Sequence, residues 1–204
     1  MSNPSLQSFA DFIAIRFPLS QEEKEYLLSK VTVLNFCKED IVISAASTAR
    51  NLFFITKGII RSYYQKDIRE INTEFFFEQD FMTAFTSFLT DEPTKLCFQC
   101  LEDCEVVSIP KILVHKLLNQ DNKWQILIND ILKKEYIKKC RRESSFLLFD
   151  ANERYHYFLE QFSESENRIP LFHVASYLGI SPETLSRIRS KKINQIDLSQ
   201  VDKI

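Results

Sequence analysis

Ile169-Pro170-Leu171-Phe172-His173-Val174-Ala175-Ser176-Tyr177-Leu178-Gly179-Ile180-Ser181-Pro182-Glu183-Thr184-Leu185-Ser186-Arg187-Ile188-Arg189 is the stretch on which the reading of this chain turns. Leu171, Val174, Ala175 and Leu178 recur at i, i+3, i+4 and i+7, the spacing of one face of an amphipathic helix. Gly179 follows at once, where a left-handed backbone costs glycine least. The chain has only two glycines, so this placement carries weight. Ser181 then offers an N-cap oxygen, Pro182 suits the first helical position, and Glu183 suits the positive end of a helix. Leu185 and Ile188 turn inward, and the small Ala175 lets two helices approach closely. The pattern predicts a helix-turn-helix from about Pro170 to Lys192. An ordinary helical hairpin is the bland alternative.

A helix-turn-helix sets its second helix in the DNA major groove with its N-terminal residues at the base edges. Glu183 and Arg187 are four apart and so share a face. Arg187 can donate two hydrogen bonds to guanine, and Glu183 can accept from the amino group of cytosine. The competing reading is a plain surface pair at i, i+4. Ser186 is a further candidate base contact, whereas Thr184, Arg189, Lys191 and Lys192 are placed for phosphates, which position without reading sequence. The segment from Arg168 to Lys192 holds five cations and one carboxylate, against a net charge of −2 for the whole chain. A locally basic end on a nearly neutral protein points to a phosphate-bearing partner, here double-stranded DNA.

Upstream, residues 9–30 read as helical, with Phe9, Phe12, Ile13 and Phe17 at helical spacing and a capping box from Ser20 to Glu23. From Val31 to Ile109 the pattern changes to short runs rich in Val, Ile, Phe and Tyr: Val31–Phe36, Ile41–Ile43, Leu52–Ile55, Ile59–Tyr64, Ile71–Phe77, Lys95–Leu101 and Glu105–Ile109. Many short strands with frequent turns predict a β-sandwich or roll. Past Pro110 the chain is helical again, and a long helix spans Asn122 to about Leu148. Trp124, Leu127, Ile128 and Ile131 form its apolar stripe, which packs on its own domain or pairs with a second copy. Asp150 caps a further helix over Ala151–Phe162.

Composition narrows the class. The 204 residues are 45% hydrophobic with 18 Phe and 7 Tyr, enough for a substantial core. The longest apolar runs are far too short to cross a bilayer, and Met1-Ser2-Asn3-Pro4 has no secretory character. Five cysteines, an odd number, argue against a secreted disulfide framework. The expectation is a cytoplasmic protein with reduced thiols and no membrane association. Cys97 and Cys100 have odd spacing on a strand and point to opposite faces; buried structural cysteines are the favoured reading. His115, His156 and His173 are scattered, so no metal site is expected. No nucleophile elbow, Gly-rich phosphate loop or catalytic cluster is present, so neither an enzyme nor a cofactor is expected.

Strand-rich front, long helix and C-terminal helix-turn-helix, in that order, resemble the CRP/FNR family of bacterial regulators. Leu52-Phe53-Phe54-Ile55-Thr56-Lys57-Gly58-Ile59-Ile60-Arg61 is similar to the strand–glycine–strand step of that family's cyclic-nucleotide-binding-like roll. Phe81-Met82-Thr83-Ala84-Phe85 and Ser87-Phe88-Leu89 stand in place of its phosphate-binding segment. Glu183-Thr184-Leu185-Ser186-Arg187 is similar to the Glu-x-x-Ser-Arg signature of the FNR branch, which implies a TTGAT-type half-site. The fold so implied is α+β: an N-terminal double-stranded β-helix (jelly-roll) domain over 1–121, a dimerisation helix over 122–149, and a winged-helix-like DNA-binding domain over 150–204 with a shortened wing.

The resemblance implies a homodimeric regulator reading a palindrome, with Trp124, Leu127, Ile128 and Ile131 at the dimer interface. It also implies contact with RNA polymerase and an effector of unknown chemistry, in a pocket near Thr83, Ala84, Phe85, Thr94 and Lys95. Cyclic-AMP-binding members carry Gly-Glu where this chain has Thr83 and Ala84. They carry an Arg near the position of Thr94 and Lys95. Without that carboxylate and guanidinium the charge-assisted contacts to the nucleotide are missing, so cyclic AMP is not expected as the effector. No cysteine precedes Cys37, which leaves the FNR-type iron–sulfur cluster without its N-terminal ligands. The alternative function is a small-molecule-sensing roll that acts through protein contacts without sequence-specific DNA binding.

Overall fold

The computed structural model describes residues 3–162 and 166–190. They form two compact units, one of residues 3–69 and 73–136, the other of residues 70–72, 137–162 and 166–190.

The first unit opens with α1 (Pro4–Arg16) and α2 (Gln21–Lys30). The expected capping box is present: Ser20 Oγ accepts from the Glu23 N–H, and the Glu23 carboxylate accepts from the Ser20 N–H. Then come β1 (Thr32–Phe36), β2 (Ile41–Ile43), β3 (Asn51–Lys57), β4 (Ile60–Lys66), β5 (Arg69–Phe76), β6 (Phe81–Met82), α3 (Phe85–Thr90), β7 (Leu96–Cys100), β8 (Cys104–Pro110), α4 (Lys111–Leu118) and α5 (Asn122–Leu148). The strands make two four-stranded sheets, ordered β1-β8-β3-β6 and β2-β7-β4-β5. This is the β-roll of an α+β protein, as the alternation of short apolar runs predicts.

Strand β3 is the centre of the fold. Leu52, Phe53, Phe54 and Ile55 are all buried, so both faces are covered. A strand with only one covered face would alternate polar and apolar residues; β3 does not, because α1 lies against it. The Phe9 and Phe12 rings sit 5.3 and 4.8 Å from that of Phe54, and Phe81 of β6 closes the cluster at 5.1 Å. Strand β6 and helix α3 escape the sequence pattern. The first is two residues long, and the second has six residues and no side-chain cap on its first turn.

Helix α5 has the predicted bounds, but its apolar stripe is used differently. Trp124, Leu127 and Ile131 are 5–8% exposed and join the core with Phe9, Ile13, Leu27 and Leu117; Ile128 packs against the same cluster. The chain's own helices α1, α2 and α4 cover Trp124, Leu127 and Ile131 and partly cover Ile128, so the stripe expected at a dimer interface packs within its own unit. The open side of α5 carries other apolar residues, with Ile126 54%, Ile137 46% and Leu147 76% exposed.

In the second unit, α6 (Ala151–Phe162) starts from a capping box in which Asp150 accepts from the Asn152 and Glu153 N–H groups, and Glu153 accepts from the Asp150 N–H. A short 3-10 turn (Glu166–Arg168), α7 (Leu171–Leu178) and α8 (182–190) follow. Tyr155, Phe158, Ile169, Val174, Ala175, Leu178 and Leu185 form the buried centre of this unit.

Candidate nucleic-acid interface

The turn between α7 and α8 is built by the residues singled out in the sequence. Gly179 has φ 68°, ψ 33°, a left-handed backbone that ends α7. Its N–H donates to the Ser176 carbonyl and the Ile180 N–H donates to that of Ala175, the paired bonds of a Schellman motif. Ser181 Oγ accepts from the Thr184 N–H at 3.2 Å, the N-cap of α8. Val174 and Ala175 are fully buried and Leu185 nearly so, which fixes the two helices against the unit's core. The α7–turn–α8 pair is a helix-turn-helix.

Glu183, Ser186 and Arg187 stand exposed on α8. The Ser181 hydroxyl, then the helix N-terminal amide of Glu183 itself, and finally the charge of Arg187 hold the Glu183 carboxyl below the usual carboxylate range. It therefore stays an acceptor through the neutral range. Thr184 is half-buried and its hydroxyl meets Ser181 Oγ at 3.2 Å, so it serves the cap first. Arg189 is half-buried. Lys191, Lys192 and the wing expected after them lie outside the described residues.

Behind this helix pair is a buried polar cluster that sequence reading missed. The Asn72 side-chain amide meets His173 Nδ1 at 3.2 Å and donates to the His173 carbonyl at 3.1 Å; all of Asn72 is buried. Arg142 donates to the carbonyls of Asn72 and Tyr177, each at 3.1 Å, and its guanidinium lies 4.6 Å from the centre of the Phe146 ring and 4.8 Å from that of Tyr177. In sequence Arg142 is one cation in a run with Lys138, Lys139 and Arg141, and nothing local separates it from a solvated residue.

This cluster makes Gly179 sensitive. A Cβ there would come 2.8 Å from Phe146 Cε1, and that ring is held by Arg142 and by Arg154, the latter 5.1 Å from its centre. Gly179→Ala should lower the unfolding free energy by about 2 kcal/mol, from left-handed strain together with displacement of the ring. Urea denaturation followed through the second unit checks it, and a cost under about 0.5 kcal/mol would mean the ring yields freely.

The residues expected to line an effector pocket are distributed as follows. Thr83 is buried and donates its hydroxyl to the Asn51 carbonyl at 2.9 Å. Ala84 is buried at the start of α3, and Phe85 packs against the core. Thr94 is tied to the 44–47 turn through Ala46 and Ser47, and Lys95 is exposed. No carboxylate or guanidinium stands among them. Among the described residues no cluster of His, Cys, Asp or Glu could hold a metal ion. Cys97 is half-buried and Cys100 buried, whereas Cys37 is exposed. Cys100 and Cys104 lie thiol to thiol, and the Cys104 neighbour, with burial, pushes the Cys100 thiol up and keeps it protonated. No helix of the described residues is long and apolar enough to cross a membrane.

Residues 33–121 match the family model of the cyclic nucleotide-binding domain. No curated protein matches the chain in sequence. Among solved structures it is similar to FixK2 from Bradyrhizobium japonicum, at 19% identity and TM-score 0.71, over 81% of this chain and 85% of that one. It is similar to a mutant of CooA from Carboxydothermus hydrogenoformans, at 14% identity and TM-score 0.73, over 96% and 87%. It is also similar to a transcriptional regulator assigned to the crp/fnr family from Eubacterium rectale, at 17% identity and TM-score 0.68, over 88% of each chain. At these identities the likeness shows a shared fold.

Proposed function

We propose that this chain, a cyclic nucleotide-binding domain carried in the fold of crp/fnr regulators, is a DNA-binding transcription regulator that reads a palindromic site as a homodimer. The observation that carries this reading is the α7–α8 geometry: a glycine-ended first helix and a serine-capped second helix, with Glu183, Ser186 and Arg187 exposed at the start of the second. In the major groove Arg187 is the guanine reader and Glu183 the cytosine reader. Thr184, Arg189, Lys191 and Lys192 position the helix on phosphates.

The second copy would meet the open side of α5. Ile126, Asp130, Lys133, Ile137, Cys140, Ser144 and Leu147 alternate steps of four and three, the 3.5-residue repeat of a coiled-coil seam. In this reading the interface is this stripe, because the one through Trp124 packs within its own unit. Two α8 helices about 34 Å apart would then read half-sites one DNA turn apart. Cyclic AMP is not the effector in this reading, because Thr83, Ala84 and Thr94 supply neither the carboxylate nor the guanidinium whose charge-assisted contacts would hold it. A different small molecule acting on the roll and a contact with RNA polymerase complete the proposal.

Selection of bound duplexes from a random pool, beginning with a TTGAT-type half-site as the reference, tests it. Arg187→Ala should weaken the selected site by about 1–3 kcal/mol, roughly 5- to 150-fold, and relax one base pair per half-site. Equal loss on every sequence would count against base reading. No preference at low salt would move the function to protein contacts alone.

A further inference from the structure

A cavity of about 640 Å³ opens in the first unit between α1, the turn that leads from β5 into β6, and the first half of α5. Phe12, Phe17, Phe81, Leu127 and Ile131 make its apolar wall, and all but the half-buried Phe12 are only 7–8% exposed. Arg16, the last residue of α1, stands at its edge. The guanidinium lies 3.6 Å from the centre of the Phe12 ring and donates to the Phe12 carbonyl at 3.2 Å. The ring face attracts the cation, so stacking and that bond together hold it at the cavity. Among the described residues Arg16 has no ion-pair partner. The carboxylates on the wall, by contrast, are engaged. Asp80 accepts from Lys134 Nζ at 2.5 Å and from the Phe77 N–H at 3.1 Å. Glu78 accepts from the Gly58 N–H at 2.9 Å, and Asp130 pairs with Lys133 at 3.7 Å. Glu135 is buried and engaged as well.

We infer that this cavity binds a small organic monocarboxylate with an apolar body. The carboxylate would take the Arg16 guanidinium in the two-bond geometry that planar group offers, and the body would lie among Phe12, Phe17 and Phe81. A mostly apolar wall with one placed polar group to fix orientation is the usual build of a small-molecule site. Charge selects among ligands in both directions. Arg16 is the cation left for a ligand to neutralise, because Lys134 is already held by Asp80. The four wall carboxylates then limit the ligand to a single negative charge, since a second would face them. A phosphate ester or polyphosphate is disfavoured on that ground. An organic cation would have to displace the lysines and backbone N–H groups those carboxylates already hold. None of Thr83, Ala84, Phe85, Thr94 and Lys95 lines this cavity. Ile126 and Asp130 border it and also stand on the stripe proposed to meet a second copy, but the ligand contacts argued here come from α1 and β6. The inference concerns binding by the first unit and stands whether or not the chain reads DNA.

The probe is 2-naphthoate, titrated into the full chain at neutral pH with nitrogen-15 amide shifts as readout. Saturable shifts centred on Phe12, Arg16, Phe17, Gln79 and Phe81 are expected. The neutral amide of the same ring system, 2-naphthamide, should bind about tenfold more weakly, because it forfeits the charge-assisted bonds. Octanoate carries the same charge on a chain, and whichever acid binds more tightly identifies a ring or an acyl chain as the apolar body. Arg16→Gln should weaken 2-naphthoate about tenfold and leave 2-naphthamide unchanged, whereas Arg16→Lys, which keeps the charge without the fork, should cost about threefold. Removing an exposed cation elsewhere, by Lys66→Gln, should change nothing. Arg16 is exposed, so its variants keep the fold, and an unchanged melting curve establishes that. Several outcomes overturn the inference: no shifts at millimolar 2-naphthoate, equal binding of the amide, tighter binding of 2-naphthylmethylammonium, or affinity untouched by Arg16→Gln. Shifts centred on Thr83 and Thr94 instead would overturn it too, by placing the ligand inside the roll.

Discussion

Gly58→Ala should leave the first unit barely able to fold, with a loss of about 4 kcal/mol or more of unfolding free energy. Gly58 sits between β3 and β4 at φ 94°, a backbone conformation that residues with a Cβ avoid. A Cβ built there would lie 2.5 Å from Cys104 Sγ, 2.8 Å from the Asp103 carbonyl oxygen and 3.0 Å from Cys104 Cα. Two of those three atoms are backbone and cannot rotate away. The segment they belong to is pinned, since the Lys38 N–H donates to the Asp103 carboxylate at 2.9 Å and Cys104 leads into β8, the strand paired with both β1 and β3. Gly58 is held from its own side as well, its N–H donating to the Glu78 carboxylate at 2.9 Å. Strain and overpacking therefore add. Urea denaturation of the variant gives the number. Cys104→Ala in the same chain should return only part of the loss, because the clash with the Asp103 carbonyl persists. A loss below about 1 kcal/mol would mean that the β3–β4 step and the β7–β8 turn move apart easily.

The second large effect concerns assembly. Ile126→Glu/Ile137→Glu should convert the proposed dimer to a monomer, seen by sedimentation, and weaken a two-half-site duplex by about 10²- to 10⁴-fold. In the proposed dimer, two reading helices joined through α5 would bind the second half-site at high effective concentration, and a monomer would forfeit that gain. Binding to a single half-site should be unaltered, which separates loss of assembly from loss of reading. The two side chains are about half exposed in the single chain, 54% and 46%, so the substitutions should change its unfolding free energy by no more than about 1 kcal/mol. If the variant remains a dimer, the copies meet elsewhere and the open stripe of α5 has another use.

The contrast between the two sides of α5 marks where sequence reading stops. Trp124, Leu127, Ile128 and Ile131 declare an apolar stripe, and the periodicity was right about the helix and its bounds. Periodicity reports that a face is covered and not by what, because water is excluded equally well by α1, α2 and α4 or by a second chain. The less conspicuous stripe, with Asp130, Lys133 and Ser144 among its isoleucines and leucine, is the one left open. The effector residues show the same limit. The Thr83 hydroxyl donates to the Asn51 carbonyl and the Thr94 hydroxyl accepts from the Leu96 N–H, contacts that residue type does not announce.

What the sequence by itself determined lies within a turn or two of the chain. The Ser20, Asp150 and Ser181 caps, the left-handed Gly179, the strand runs and the order roll, long helix, helix-turn-helix follow from side chains acting on neighbouring backbone. Those forces are short in range, and so is the pattern that reports them. The tertiary structure alone decided which face of α5 is buried, that Arg142, Asn72 and His173 share one polar cluster behind the helix pair, that Cys104 crowds Gly58, and that α1, α5 and the turn before β6 enclose one cavity. Each of these joins residues far apart in sequence, where packing and desolvation, not local propensity, choose the partner.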